Sequence, residues 1–223
     1  MTHAPALLYQ DSSLVIVDKP SGVAVHRGWA NERDVMLTRV RDAIGAYVYP
    51  AHRLDRGASG VLVFALDAAS ARSLGEAFAE GRVQKRYLAL VRGVPPERLV
   101  IDNPVLKGER GGERVPALTE VERLEVFGRY SLVAAMPKTG RLHQIRRHLK
   151  HVACPLIGDV RYGKGEHNRL FRERYGLNRL FLHAESLTFP HPQGGAPLSV
   201  HAPVGDDLAG PLEALRAATA REA

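Results

Sequence analysis

The chain has 223 residues, 45% of them hydrophobic and 25% charged, the composition of a globular protein long enough to bury a substantial core. Its net charge is +7, yet residues 138–179 alone hold eleven basic side chains against three acids, a local +8 that leaves the remainder near neutral and fits a polyanion-binding face. No apolar run reaches the ~18–20 residues of a membrane span, the N-terminus has no signal-peptide pattern, and Cys154, the single cysteine, excludes an internal disulfide and fits a reducing cytoplasm.

In chain order, the apolar run 14–17 predicts a strand, followed by a Pro20-Ser21-Gly22 turn. A short helix is expected over 34–46. The apolar run 61–66 predicts a buried strand, and Asp67 is a credible N-cap for a helix over 68–80 that ends at Gly81. A strand over 84–91 alternates Tyr87, Ala89 and Val91 with Arg86, Leu88 and Leu90, and Pro95-Pro96 breaks it. Residues 105–116, rich in glycine and charge, predict a mobile loop. Paired strands over 119–126 and 130–136 are joined by Phe127-Gly128-Arg129. A helix follows over 141–151, with Leu142, Ile145, Leu149 and Val152 as one apolar stripe. Strands over 180–189 and 198–200 flank the turn 192–195, and an Ala-rich helix over 206–220 closes the chain. The expected fold is α+β: one domain, residues 1–223, with a large mixed, mostly antiparallel sheet flanked by helices and loops.

The densest chemistry lies in His52-Arg53-Leu54-Asp55-Arg56-Gly57-Ala58-Ser59-Gly60. One carboxylate sits between two arginines, an arrangement that favours its ionised form. This stretch resembles the HRLDxxTSG motif of the RluA family of pseudouridine synthases. Three further segments follow the family's order: Asp18-Lys19-Pro20-Ser21-Gly22 with Val25-His26, Gln84-Lys85-Arg86-Tyr87, and Lys138-Thr139-Gly140-Arg141-Leu142-His143-Gln144-Ile145-Arg146-Arg147-His148. In the C-terminal half, Gly158-Asp159-Val160-Arg161-Tyr162-Gly163 and 176–184 are similar to the tRNA pseudouridine-65 synthase branch. The chain is expected to carry no appended N-terminal RNA-binding domain, as in that branch.

Nothing in the sequence demands a dimer, and a monomer is expected. The resemblance implies a cytoplasmic, cofactor-independent enzyme with no metal, whose partner is RNA, specifically tRNA. It implies that Asp55 is catalytic, that Tyr87 stacks on the target uracil, that Arg146 pairs with the aspartate, and that Arg53 fills the gap left by a flipped nucleotide. Base stacking is typically worth ~1–3 kcal/mol, and flipping costs a few kcal/mol. A carboxylate can attack base or sugar, or move a proton at the ribose, and the residues leave these routes open. Lys138, Arg141, Arg147, Lys150, Arg169, Arg172 and Arg174 are the candidate RNA-binding residues. The charge pattern alone also fits a non-catalytic RNA-binding protein or a synthase acting on ribosomal RNA.

Two departures stand out. Ala58 replaces the family's threonine, removing a hydroxyl that could brace the loop, and the segment 107–116 is short. Other chemistries fit less well. His143, His148, His151 and Cys154 follow no zinc spacing. A glycosidase needs two opposed carboxylates, and the stretch 52–60 contains one, surrounded by basic residues. Gly108–Gly112 follows no nucleotide-binding pattern, so neither ATP nor NAD is expected.

Overall fold

Asp11 turns the chain first. Its carboxylate accepts the N–H groups of Ser13 (2.7 Å) and Leu14 (2.8 Å), closing a hairpin between β1 (Ala6–Gln10) and β2 (Leu14–Lys19). The computed structural model describes residues 4–27, 34–108 and 112–222. The elements that follow are α1 (Met36–Ile44), β3 (Tyr49–Pro50), β4 (Ser59–Ala65), α2 (Ala68–Ala79), β5 (Gln84–Arg92) and β6 (Arg98–Asp102). Then come β7 (Val105–Leu106), β8 (Arg114–Val115), β9 (Leu118–Phe127), β10 (Tyr130–Pro137), α3 (Gln144–His151) and α4 (Gly165–Tyr175). The last are β11 (Leu182–Phe189), β12 (Leu198–His201) and α5 (Asp206–Glu222). No helix among the described residues is long and apolar enough to cross a membrane.

These residues group into two compact units. One runs to Lys85 and includes Ala184–Pro203; the other comprises Arg86–His183 and the segment from Val204 onward. In the first, the strands are ordered β1-β2-β4-β11, with β12 beside β11 and β3 beside β4. The pairings of β2 with β1 and β4, of β3 with β4 and of β11 with β12 are antiparallel. Every residue of β4 is buried, so its unbroken apolar run reflects a strand covered on both faces. Leu14, Ile16, Val61, Val63, Leu74, Leu187 and Phe189 form this unit's core. Asp67 caps α2 as expected, its carboxylate accepting the N–H and the hydroxyl of Ser70 at 2.8 and 2.6 Å.

In the second unit the order is β5-β10-β9-β6, with β7 and β8 as a separate ribbon. The expected hairpin between β9 and β10 is present. Its turn is two residues, Gly128-Arg129, because Phe127 pairs with Tyr130, and Gly128 takes the positive φ (57°) that such a tight turn requires. Leu90, Phe127, Tyr130, Leu132, Phe171, Phe181 and Leu212 form the core, with α4 and α5 packed together.

Several elements differ from expectation. The segment 105–116 contains the ribbon of β7 and β8; residues 109–111 lie outside the described residues. Helix α3 starts at Gln144 rather than 141, because the Gln144 side chain captures the Arg141 N–H (3.0 Å) and His143 adopts a left-handed backbone (φ 53°). Helix α4 carries few apolar residues and is anchored by buried Phe171, which sequence periodicity did not reveal. Edge strand β6 buries Ile101 and leaves Val100 exposed.

Candidate active site

Asp55 lies in the loop between β3 and β4, half-buried, between exposed Arg53 and exposed Arg56, with Leu54 buried beneath. The entry segment Asp18–Gly22 locks this loop. Gly22 N–H donates to the Arg56 carbonyl (2.8 Å), Ser21 Oγ donates to the Gly57 carbonyl (2.8 Å), and Arg56 Nε donates to the Gly22 carbonyl (2.8 Å). Ala58 N–H donates to the Asp55 carbonyl at 3.0 Å, forming a turn around the aspartate. Two of the segments singled out in the sequence therefore form one structure. Backbone carbonyls and the Ser21 hydroxyl brace the loop where Ala58 has no hydroxyl to offer.

Lys19 is the keystone. Its side chain is fully buried, and its ammonium donates to the carbonyls of Pro20 (2.9 Å), Val23 (2.7 Å) and Arg56 (3.3 Å). Lys19→Met keeps the bulk of the stem and leaves those carbonyls without their shared cation. A destabilisation of about 3 kcal/mol is expected in urea unfolding. A variant as stable as wild type would show that the ammonium does not hold the loop.

His52 opens the motif. Its ring stacks on Phe78 with centroids 5.1 Å apart, and Nε2 accepts the Val63 N–H at 3.2 Å. Burial first, and the Lys85 charge second, push its pKa down to about 3, against an opposing hydrogen bond with the Arg53 backbone. The unfolded chain then binds a proton below about pH 6.5 that the folded chain refuses. This share of stability is whole above pH 6.5 and is lost as the pH falls toward 3. Between pH 7 and pH 5 the loss from His52 is expected to reach about 2 kcal/mol. His52→Gln, whose side-chain oxygen can accept the same N–H, should remove that part of the slope. A variant whose stability falls as steeply as wild type over that interval would contradict the assignment.

In the second unit, Tyr87 is half-buried on β5, opposite Ala135 of β10 and just before the fully buried run Leu88–Val91. It is thus outside the packed core. The Lys138–His148 motif is organised by Gln144. The Gln144 amide nitrogen donates to Leu118 O (2.9 Å) and Thr119 Oγ1 (3.0 Å), and its oxygen accepts from Thr139 Oγ1 (2.6 Å). His148 is fully buried, with Nε2 2.9 Å from the Asn103 carbonyl and Nδ1 2.9 Å from Thr119 Oγ1. A carbonyl only accepts, so Nε2 carries the proton and Nδ1 accepts the threonine hydroxyl. Burial lowers the pKa of His148. This histidine is a neutral brace between α3, β9 and the chain after β6.

Arg146, on α3, makes a two-pronged pair with Asp159: Nε to Oδ2 at 2.7 Å and Nη2 to Oδ1 at 2.9 Å. Arg147 donates to the carbonyls of Leu106 (2.6 Å) and Gly108 (2.8 Å) and to the Tyr162 hydroxyl (3.1 Å), so its guanidinium ties down the ribbon of β7 and β8. Arg141 Nε donates to the Pro116 carbonyl (3.1 Å), and Lys138 pairs with Glu120 (2.8 Å). Lys150 lies over the Tyr162 ring at 5.8 Å, as do Arg146 at 5.0 Å and Arg161 at 5.5 Å. Arg169, Arg172 and Arg174 are exposed on α4. Asp159 and Tyr162 are the residues that charge counting missed. Their signal was the Gly158–Gly163 segment, which the resemblance singled out without assigning a role.

A family model described as RNA pseudouridylate synthase matches residues 13–151, a span containing Asp55, Tyr87 and Arg146. The chain belongs to this family. Its members are isomerases that convert uridine to pseudouridine, as the motif resemblance implied. Similar proteins include a tRNA pseudouridine synthase C of Vibrio cholerae, 40% identical over 218 residues, covering 88% of this chain and 89% of the relative. Another, from Haemophilus influenzae, is 41% identical over 208 residues, covering 83% and 87%. The solved structure of human RNA Pseudouridylate Synthase Domain Containing 4 superposes with a TM-score of 0.79 at 28% identity, covering 95% of this chain and 93% of that one. The Asp55 loop of this pseudouridine synthase is held by hydrogen bonds from the 19–22 segment.

Proposed function

We propose that this pseudouridine synthase acts on a uridine in tRNA, at a site of the position-65 type, as a cytoplasmic monomer without metal or cofactor. The observation that carries this reading is the match to tRNA pseudouridine synthase C along nearly the whole of both chains. Isomerisation breaks the bond from ribose C1′ to uracil N1, turns the ring, and joins C1′ to C5. The C5 proton leaves and N1 gains one, so no redox step is required. Asp55 is the catalytic carboxylate. Arg146 orients it, Tyr87 offers a flat apolar face on which the detached ring can turn, and Arg53 takes the place of the flipped nucleotide. The residues 1–223 act as one catalytic domain.

Loss of the C5 proton gives a direct assay: tRNA labelled with tritium at uridine C5 releases tritium to water on turnover. Transcripts of tRNA are expected to release it and ribosomal RNA transcripts not. The reverse pattern would replace tRNA with ribosomal RNA as the substrate. Release from neither, with RNA still bound, would favour a binder.

The exposed arginines of α4 supply phosphate contacts in this reading. Reversing the charge of Arg169, Arg172 and Arg174 together should raise KM for tRNA about tenfold at ~0.1 M salt and flatten its salt dependence, with kcat changed by less than about twofold. An unchanged KM would remove α4 from the RNA-binding surface.

A further inference from the structure

Asp159 sits in a turn that is built to hold it. Its side chain is completely enclosed, and that of Arg146 is 11% exposed. Oδ1 also accepts the N–H groups of Arg161 (2.9 Å) and Tyr162 (3.0 Å). Asn168 of α4 fastens the turn from the other side: its amide nitrogen donates to the Asp159 carbonyl (2.9 Å) and its oxygen accepts the Gly158 N–H (2.8 Å). The Tyr162 ring lies against Arg146, and the Tyr162 hydroxyl is itself held by His143 Nδ1 and Arg147 Nε, each at 3.1 Å. Arg146 is therefore gripped along one edge by a carboxylate and against one face by an aromatic ring. Its third nitrogen, Nη1, lies on the side of the planar fork away from Asp159.

A buried ion pair is a poor device for stability, because desolvating both charges offsets most of their attraction. What it provides well is orientation, since a two-pronged arginine–carboxylate pair fixes the guanidinium plane. Burial alone would raise the pKa of Asp159, but the hydrogen bonds from Arg146, Tyr162 and Arg161 outweigh it, and the group is held below the usual carboxylate range. The same hydrogen bonds that fix the carboxylate thus also favour its charged form.

We propose that Asp159 is a positioning residue for the isomerisation, acting through Arg146: it aims the guanidinium, with Tyr162 as the face on which Arg146 rests. This rests on the reading of Arg146 as the residue that orients the catalytic carboxylate. Asp159 does not touch the substrate, so its removal lowers turnover without loosening tRNA.

The test is a double-mutant cycle on full-length protein, with tritium release from uridine-labelled bulk tRNA of a strain lacking this enzyme. Asp159→Asn keeps the shape and removes the charge. A roughly 100-fold fall in kcat is expected, with KM within threefold of wild type. Asp159→Glu, which keeps the charge but displaces the fork by one methylene, should recover part of that loss. In an Arg146→Ala background, Asp159→Asn should cost less than threefold more, because the residue it acts through is gone. Should the Asn variant fail to fold by circular dichroism, the Glu variant is read in its place: a kcat about tenfold below wild type at unchanged KM supports the proposal. A wild-type kcat in that variant, or losses that add fully across the cycle, overturns it. Normal turnover by Asp159→Asn beside an inactive Arg146→Ala overturns the proposal alone. Normal turnover by Arg146→Ala, or no release by wild type, overturns the underlying reading and the proposal with it.

Discussion

Asp55→Asn is expected to lower kcat by at least about a thousandfold while tRNA affinity stays within about twofold. The substitution is isosteric: it removes the charge and nucleophilicity of the carboxylate and exchanges one acceptor oxygen for an amide donor. The loop should survive it. The clamps from Lys19, Ser21 and Gly22 reach the carbonyls of Arg56 and Gly57, and the Ala58 N–H bonds to the Asp55 backbone carbonyl, so none of these bonds uses the atoms that change. Binding should survive too, because phosphate contacts from exposed cations supply most RNA affinity. Single-turnover assays with the variant in excess over tRNA separate the two quantities. A kcat within tenfold of wild type would remove Asp55 from the chemistry. A joint collapse of affinity and folding would instead make it structural.

Gly60→Ala is expected to have the largest effect on stability, at least about 3 kcal/mol and enough to reduce soluble yield. Gly60 has φ +110°, a conformation that L side chains rarely adopt. A Cβ there would lie 2.2 Å from the Ala184 carbonyl oxygen and 2.8 Å from the Ala184 nitrogen. Both are backbone atoms of β11, the neighbour of β4 in the sheet, and cannot step aside as a flexible side chain can. Since Gly60 pairs with Lys19 across β2 and β4, the strain falls on the support of the Asp55 loop. Gly75→Ala provides the contrast. It lies inside α2 with nothing within 4 Å of its added Cβ, so alanine should be neutral or stabilise by up to about 1 kcal/mol. Urea unfolding of the two variants decides the matter. A Gly60→Ala protein as stable as wild type would mean that β4 and β11 need not lie so close.

What the sequence disclosed, and what it hid, follow physical lines. The Asp55 loop was legible because its chemistry is contiguous: an acid, two arginines and two glycines in nine residues. Strand β4 was legible because a strand buried on both faces reads as an unbroken apolar run. Asp159 was hidden because its meaning lies in a partner thirteen residues earlier, across a turn with no periodicity to predict the pairing. It was counted only as one acid among many bases. Arg147 shows the converse. Charge counting placed it with the RNA-binding arginines, but its donors are turned to the carbonyls of Leu106 and Gly108. A sum of charges does not tell which cations face solvent and which satisfy backbone acceptors. Helix α4 escaped notice because one buried phenylalanine anchors an otherwise charged segment. The first and second motif segments were recognised separately, and only the fold shows that Lys19 joins them.

The most direct test of the central claim is pseudouridine mapping, by carbodiimide labelling and primer extension. The tRNA would come from a strain lacking this protein and be treated with wild type or with Asp55→Asn. The account predicts one new pseudouridine, at a tRNA site of the position-65 type, present after wild type and absent after the variant. The same site formed equally by both proteins, or no new site with wild type, would contradict it.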